Sequence, residues 1–164
     1  MATCVRPPAI DADLVIVGAG AAGLAAAAAA PDGFSVDILC KGVVSKSGSS
    51  PLAQGGVAAA LSDDDSPSLH AEDTLAVAGG IADPERVLAL TAEGPALINM
   101  LCALGAQFDR DELGEIRLGR EAGHRRHRIV HAGGDATGAE ILRALAKVVA
   151  TRPNVRVFDL CVAT

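Results

Sequence analysis

Residues 13–40, DLVIVGAGAAGLAAAAAAPDGFSVDILC, decide the fold of this chain. Asp13 to Gly18 is a short apolar, β-branched run that stops at a glycine, which predicts a strand. An alanine-rich helical stretch follows to about Ala30, where Pro31-Asp32-Gly33 breaks it. Phe34 to Cys40 then predicts a second strand, so the order is strand, glycine turn, helix, strand.

The turn from Gly18 to Gly23 has the spacing G-x-G-x-x-G. We expect Gly18 to make the tight turn, Gly20 to let the backbone approach a pyrophosphate, and Gly23 to let the helix pack close to the sheet. Phosphates bind to the free N–H groups at a helix N-terminus. Glycine-rich chains produce this spacing by chance, but the flanking elements favour a Rossmann-like α/β fold with a parallel sheet and flanking helices.

The motif does not identify the dinucleotide. An acidic residue at the end of the second strand normally binds the ribose hydroxyls, but this chain has Cys40-Lys41 there. Asp37 lies three residues earlier, and we interpret it as a strand side chain. Two alternatives stay open at this point: NADP, with Lys41 facing a 2′-phosphate, or FAD held mainly by other segments.

Composition excludes several classes of protein. The 164 residues suffice for one domain, and three Phe with no Trp or Tyr require a core of Ala, Val, Leu and Ile. A net charge of −6 argues against nucleic-acid binding. The four cysteines form no C-x-x-C pair, which favours reduced thiols in a cytoplasmic protein. The uncharged run from Leu14 to Pro31 contains three glycines and ends in a proline, so no membrane span is predicted.

Lys41 to Leu61 is a long segment in place of the prompt helix of an ordinary dinucleotide fold. It is rich in Ser, Gly and Lys before it ends at Ala53-Gln54-Gly55-Gly56 and turns apolar. Hydroxyls and bare backbone N–H groups suit phosphate, ribose and the polar edge of a flavin ring. The alternative is a flexible glycine-serine linker.

Three helices and a final strand follow. The spacing predicts helices over Ser68 to Val77, from Asp83 as N-cap to about Leu104, and over Ala139 to Ala150, with a strand from Val155 to Phe158. We expect Gly94-Pro95 to break the second helix into two segments and Gly105 to cap it. Residues 1–12 are predicted to be a flexible leader. The core candidates of the second helix are Val87, Leu88, Leu90, Leu97, Ile98, Leu101 and Leu104.

The segment from Arg120 to His131, REAGHRRHRIVH, is unusually basic for an acidic protein. Six of the eight residues from His124 onward are His or Arg. Such a patch would attract an anionic substrate, and the alternative is a solvated basic loop. His127 and His131 are four apart, but no carboxylate or cysteine completes a ligand set, so no metal site is predicted.

Three landmarks together resemble a known family: GAGAAGL at 18–24, SSPLAQGG at 49–56 and REAGHRRHRIVHAGGDATG at 120–138. The chain resembles the flavoproteins of the succinate dehydrogenase, fumarate reductase and L-aspartate oxidase family, and most closely the bacterial L-aspartate oxidases. The resemblance implies FAD, because family members commonly carry a small residue followed by lysine at the Cys40-Lys41 position.

The resemblance also implies site residues. Ser49 stands where the membrane-bound dehydrogenases carry the histidine that holds the flavin covalently, so FAD is expected to be non-covalent. Glu121 matches an acid thought to select the α-amino group of the substrate, and His124, Arg128 and His131 match positions in the same loop. Arg125, Arg126 and His127 depart from the family pattern. The implied cofactor-binding residues are Gly18, Ala19, Gly20, Ala21, Ala22, Gly23, Lys41, Ser49, Ser50, Pro51, Leu52, Ala53, Gln54, Gly55 and Gly56.

The implied reaction is oxidation of L-aspartate to iminoaspartate, with oxygen or fumarate as electron acceptor. The product would feed NAD biosynthesis, with quinolinate synthase downstream. Family members are far longer, with a capping domain and a C-terminal helical domain. We therefore expect residues 13–164 to be the N-terminal part of an FAD-binding domain, inactive alone, with the acid/base arginine outside this chain.

Overall fold

A computed structural model describes residues 11–163, so residues 1–10 of the predicted leader lie outside the described residues. The described part of the chain divides into two compact units, residues 11–53 with 138–163 and residues 54–137. Within the described range, no helix is both long enough and apolar enough to cross a membrane. The strands and helices, in chain order, are β1 (Leu14–Val17), α1 (Ala21–Ala29), β2 (Val36–Leu39), β3 (Val57–Ala58), α2 (Pro67–Val77), α3 (Pro84–Ala103), β4 (Leu118–Gly119), β5 (Ile129–Val130), α4 (Thr137–Ala150) and β6 (Val155–Phe158).

The first unit contains a parallel sheet in the order β1-β2-β6. Ile16 pairs with Ile38, and Ile38 pairs with Val157, so the carboxyl ends of the three strands lie at one edge. The predicted α/β fold with a parallel sheet is confirmed. Every residue of β2 is buried, as expected for the central strand.

Small aliphatic side chains form the core of this unit, as the composition predicts. Leu24 and Ala27 of α1 are fully buried, and so are Ile38 of β2 and Leu142 of α4. Arg152 fixes the end of α1, because its guanidinium donates to the carbonyl oxygens of Ala28 and Ala30, at 2.5 Å each, and to Asp32. A cation at these carbonyls also complements the helix dipole.

The second unit has a small antiparallel sheet, β3-β5-β4, together with α2 and α3. Ser66 caps α2 by accepting the Leu69 N–H, and Asp83 caps α3 by accepting the N–H groups of Glu85 and Arg86. The strands β3 and β5 were not predicted, because two-residue runs carry no periodic signal, whereas small strands were predicted between Gln107 and Gly119, where β4 lies.

The predicted break in α3 is wrong. Gly94-Pro95 does not break the helix, which runs from Pro84 to Ala103 with Pro95 inside it. A proline forfeits one N–H and crowds the carbonyl four residues earlier, a cost that the surrounding helix tolerates here. Packing does not require glycine at position 94, since a Cβ there would lie 3.6 Å from the Cβ of Ala59, an ordinary van der Waals distance.

The core candidates of α3 divide into buried residues, exposed residues and the half-buried Leu104 at the end of the helix. Val87, Ile98 and Leu101 are buried as predicted. Leu88, Leu90 and Leu97 are 52%, 73% and 42% exposed, so their assignment to the core is wrong. Only one stripe of the helix meets the rest of this unit, and helical spacing alone does not say how wide that stripe is.

The predicted end of α3 is confirmed. Gly105 has φ +89° and donates to the Cys102 carbonyl at 2.9 Å, while Ala106 donates to the Leu101 carbonyl at 2.9 Å. These two bonds form a Schellman motif, which requires the left-handed conformation that glycine adopts without strain.

Candidate functional site

A cavity of about 590 Å³ opens at the mouth of the first strand-to-helix turn in the first unit. Its floor is the glycine turn and its wall is the polar segment after β2, at the carboxyl ends of β1 and β2, where open α/β sheets bind ligands. The lining residues are Gly18, Ala19, Gly20, Cys40, Lys41, Gly42, Ser47, Gly48, Ser49 and Ser50.

Gly18 and Gly23 have the steric roles that the sequence predicts, while the approach of a pyrophosphate to Gly20 stays a prediction. Gly18 has φ +104°, which favours glycine. Gly20 lines the cavity, and a Cβ there would lie 3.1 Å from the Ser50 Oγ. A Cβ on Gly23 would lie 1.9 Å from the Gly18 carbonyl oxygen, so only glycine lets α1 pack this closely on the turn.

Ser50 joins the polar segment to the start of α1. Its Oγ accepts the Ala21 N–H at 3.3 Å, and Gly20, the N-cap, has no side chain to do so. Ser50 also begins a short 3-10 helix over Ser50–Leu52. Gly138, in α4, approaches this turn so closely that a Cβ would lie 2.0 Å from the Ser50 carbonyl oxygen. The sequence offered no signal for that approach.

The segment from Lys41 to Ser50 is an ordered wall, not a free linker. Ser47 Oγ donates to the Val43 carbonyl at 2.8 Å, and a Cβ on Gly42 would lie 2.3 Å from that Oγ. The Val44 N–H donates to Asp159 at 2.9 Å. Gly42, Ser47, Gly48 and Cys40 line the cavity, and sequence reasoning had not included them among the site residues.

Asp37 does not replace the missing ribose-binding acid. It is fully buried within β2, and its two oxygens accept bonds from Arg156 at 2.7 and 2.8 Å. The interpretation of Asp37 as a strand side chain agrees with this geometry.

A family model described as an FAD binding domain matches residues 13–164. The chain belongs to this FAD-binding family. FAD is therefore the cofactor, and the Lys41-NADP alternative loses its support. The residues present fit the group, because bare glycine backbone, the first turn of α1 and serine hydroxyls suit a dinucleotide diphosphate and its polar neighbours.

The chain is also similar to proteins named L-aspartate oxidase. L-aspartate oxidase of Streptomyces coelicolor is 46% identical over 157 residues, which cover 93% of this chain and 27% of that protein. L-aspartate oxidase of Mycobacterium tuberculosis is 48% identical over 136 residues, covering 82% of this chain and 26% of that protein. The chain thus spans about a quarter of the length of these relatives.

Solved structures of the same family are also similar. The FrdA chain of a variant E. coli quinol fumarate reductase is 30% identical, with a TM-score of 0.85 over 91% of this chain and 26% of that one. The Sdh1 complex of Mycobacterium smegmatis gives 30% identity and a TM-score of 0.82 over 91% of this chain and 27% of that one.

Among the predicted FAD residues, Gly18, Ala19, Gly20, Lys41, Ser49 and Ser50 line the cavity together. Ala21 is bound to Ser50, Gly23 packs on Gly18, and the exposed Ala22 follows in α1. Pro51, Leu52 and Ala53 continue the 3-10 turn outside the cavity lining, and Leu52 is 77% exposed. Contact of all these residues with FAD stays a prediction.

Gln54, Gly55 and Gly56 belong to the second unit. Gln54 and Gly55 are exposed, and the Gln54 amide donates to Asp135 at 3.3 Å. Gly56 has φ +80°, and a Cβ there would lie 2.5 Å from Ile129 and 2.8 Å from the Val130 carbonyl oxygen. Gly56 therefore allows the chain to enter β3 directly beside β5.

The basic segment of the second unit is paired with acids. We call Arg125, Arg126, Arg128, Asp64, Asp65, Glu72 and Asp73 the arginine cluster. Its three arginines face four carboxylates, so it carries no surplus positive charge, and the prediction of a positive patch is wrong for these arginines. The acidic loop before α2 and the acids of α2 supply the partners.

Arg128 lies at the centre of the arginine cluster and is fully buried. Its Nε and Nη2 donate to the two Asp65 oxygens at 2.8 and 2.7 Å, and its Nη1 donates to Asp73 at 2.9 Å. Fork-shaped pairing of this kind is strong and geometrically specific. Sequence reasoning did not pair Asp65 and Asp73 with Arg128, because 63 and 55 residues separate them from it along the chain.

Asp73 is the carboxylate that joins Arg125 to Arg128 within the arginine cluster. It accepts the backbone N–H of Arg125 at 2.9 Å and also pairs with the Arg125 and Arg128 guanidinium groups. Burial raises the pKa of Asp73, but the hydrogen bonds from Arg125 and the two guanidinium charges outweigh it and lower the pKa to about 2.

Glu121 and His124 share one turn. The His124 N–H donates to the Glu121 carbonyl at 3.2 Å, and the Glu121 side chain is exposed. His124 is half-buried, its Nδ1 lies 3.4 Å from Arg128 Nη1, and its ring centroid lies 5.5 Å from that of His70. The structure brings Glu121, His124 and Arg128 together, while contact of any of them with substrate stays a prediction.

Proposed function

We propose that this chain is the FAD-binding part of an L-aspartate oxidase, which converts L-aspartate to iminoaspartate. The observation that carries the cofactor half of the proposal is the 590 Å³ cavity between the glycine turn and the ordered serine wall. The substrate half is supported by 46–48% identity to proteins named L-aspartate oxidase.

Two hydrogens leave the substrate, one from Cα and one from its nitrogen, and bound FAD supplies the two-electron acceptor. The protein's own residues bind and orient. The first turn of α1, with Ser50 beside it, would receive the diphosphate, and Ser49 in place of histidine leaves the flavin without a covalent link. Oxygen or fumarate is the proposed final electron acceptor.

Glu121 is the residue that we propose to distinguish L-aspartate from plain succinate. Its carboxylate is exposed, and an α-ammonium group is the part of aspartate that succinate lacks. A charged pair of this kind favours the amino acid in the bound state. Iminoaspartate would enter NAD biosynthesis in the cytoplasm, with quinolinate synthase as the downstream enzyme.

The test is turnover of L-aspartate and succinate by the full-length gene product that contains this segment. We expect L-aspartate to be preferred, and Glu121→Gln to lower kcat/KM for L-aspartate by roughly tenfold or more while succinate turnover changes little. Glu115→Gln, at another exposed glutamate in the same unit, is the matched control. Succinate preferred by the unmodified protein would contradict the proposal.

A second candidate is a succinate- or fumarate-type flavoprotein. The observation that favours it is the 0.85 TM-score to the quinol fumarate reductase chain. Ser49 and Glu121 favour the aspartate oxidase instead. The same two-substrate assay distinguishes the candidates, because only the oxidase depends on Glu121 for its preference.

A further inference from the structure

The guanidinium of Arg128 has its N–H groups directed at protein acceptors. Three bonds go to Asp65 and Asp73, and Nη1 also lies 3.4 Å from His124 Nδ1. The side chain has no exposed surface. A residue so enclosed acts on a ligand through its neighbours.

An arginine has five N–H donors and no acceptor. In its contact with Arg128, His124 Nδ1 must therefore present a lone pair, which places the ring proton of neutral His124 on Nε2. Among residues 11–163, no side chain or backbone group forms a hydrogen bond with that Nε2.

We infer that Arg128 is a positioning residue that holds His124 as the neutral Nε2–H tautomer, so that this ring donates a hydrogen bond to an anionic substrate. The substrate part rests on the proposed function. The tautomer part rests only on the contacts within the second unit.

The loop around His124 is held at several points. Arg128 N–H donates to the Gly119 carbonyl at 2.9 Å, and the Arg125 N–H donates to Asp73, the acid that also binds Arg128. The acids in the loop before α2 and within α2 thus fix both the segment that carries His124 and the arginine that faces its ring.

The ring that neighbours His124 is that of His70. His70 is buried, its ring is tilted by 60° to that of His124, and its Nδ1 has no hydrogen-bond partner. Burial lowers the pKa of His70, and the charge of Arg128 lowers it further, against the opposing effect of Asp65 and Asp73. A neutral His70 places no charge beside the His124 ring.

The direct test is long-range ¹⁵N–¹H NMR of the chain labelled at histidine, which distinguishes the two neutral tautomers and the imidazolium. Only four histidines are present, so His124→Gln and His127→Gln identify the signals. At neutral pH we expect His124 to show a protonated Nε2 and an unprotonated Nδ1. A protonated Nδ1, in either the neutral ring or the imidazolium, would overturn the inference.

Arg128→Lys tests the role of the arginine, because one ammonium cannot bind Asp65 in a fork and also reach Asp73 and His124. We expect the His124 signal to lose its single-tautomer pattern while the His131 signal is unchanged. Arg126→Lys, whose arginine pairs only with Asp64 and the backbone, is the control and should change neither. If Arg128→Lys does not fold, the tautomer of His124 in the unmodified chain decides whether the inference holds.

Turnover by the full-length gene product tests the substrate part. Arg128→Lys should raise KM for L-aspartate by roughly tenfold, with kcat and FAD affinity nearly unchanged. An unchanged KM would overturn the positioning role. If His124 shows the inferred tautomer but L-aspartate is not oxidised, the proposed function fails while the role of Arg128 in holding the ring stands.

Discussion

Asp37 and Arg156 face each other across the parallel strands β2 and β6, and the guanidinium binds both oxygens of the carboxylate. Asp37 is fully buried, whereas the Arg156 side chain is 52% exposed. The Asp37 carboxylate is therefore a buried charge whose partner is one side chain of the edge strand. Removing Arg156 alone should lower the free energy of unfolding more than removing both charged side chains.

Arg156→Met should lower the free energy of unfolding by about 2 kcal/mol, because Asp37 is left buried with no partner. The double variant Asp37→Leu with Arg156→Met should recover most of that loss. Urea denaturation followed by far-UV circular dichroism measures both. Arg126→Met, which removes an exposed pair with Asp64, is the control and should cost about 0.5 kcal/mol or less. A double variant no more stable than the single one would contradict this account.

Asp73 should make the chain sensitive to acid. Its pKa is about 2 in the folded state, below the ordinary value of 3.8, so its contribution to stability is complete above pH 4 and is lost as pH falls through 2. Unfolding experiments between pH 5 and pH 2 should show a shallower decline for Asp73→Asn than for the unmodified chain. Asp63→Asn, in the exposed loop before α2, should leave the decline unchanged. Equal slopes for all three proteins would refute the assignment.

Gly23→Ala should destabilise the first unit, because the new Cβ would lie 1.9 Å from the Gly18 carbonyl oxygen. Overpacking against backbone costs about 1–3 kcal/mol, which lowers Tm by several degrees. Gly33→Ala is the matched control, since a Cβ there meets nothing within 4 Å. Thermal denaturation compares them, and a Gly23→Ala protein as stable as the control would be incompatible with the close helix packing described above.

Ser50→Ala should cost about 1 kcal/mol, because the Ala21 N–H at the start of α1 loses its acceptor. Ser49→Ala, one residue earlier and exposed, should cost little. Urea denaturation of both variants gives the comparison. A larger loss for Ser49→Ala than for Ser50→Ala would mean that the Ser50 hydroxyl does not cap α1.

Local sequence was sufficient for the β1-α1-β2 part of the first unit. The glycine spacing from Gly18 to Gly23 predicted the turn, the helix and the parallel pairing, because each glycine meets a steric demand within a few residues. Capping residues predicted the ends of α3, since Asp83 and Gly105 act on the nearest backbone groups.

Distant partners could not be predicted in the same way. Asp65 and Asp73 bind Arg128 from 63 and 55 residues away, and no local pattern encodes that pairing. For the same reason the basic segment suggested a focused positive patch, although acids in the loop before α2 and in α2 pair with three of its arginines. The approach of Gly138 to Ser50 depends on where α4 lies, which sequence spacing does not determine.

The most direct test of the central claim is a titration of the full-length gene product with FAD, followed by visible flavin absorption. The absence of Trp and Tyr from this segment keeps its own ultraviolet background low. We predict saturable binding of one FAD, no displacement by NADPH, and loss of binding in Gly20→Val, whose side chain would enter the cavity, but not in Gly33→Ala. Absence of FAD binding, displacement by NADPH, or full affinity in Gly20→Val would contradict the proposed cofactor site.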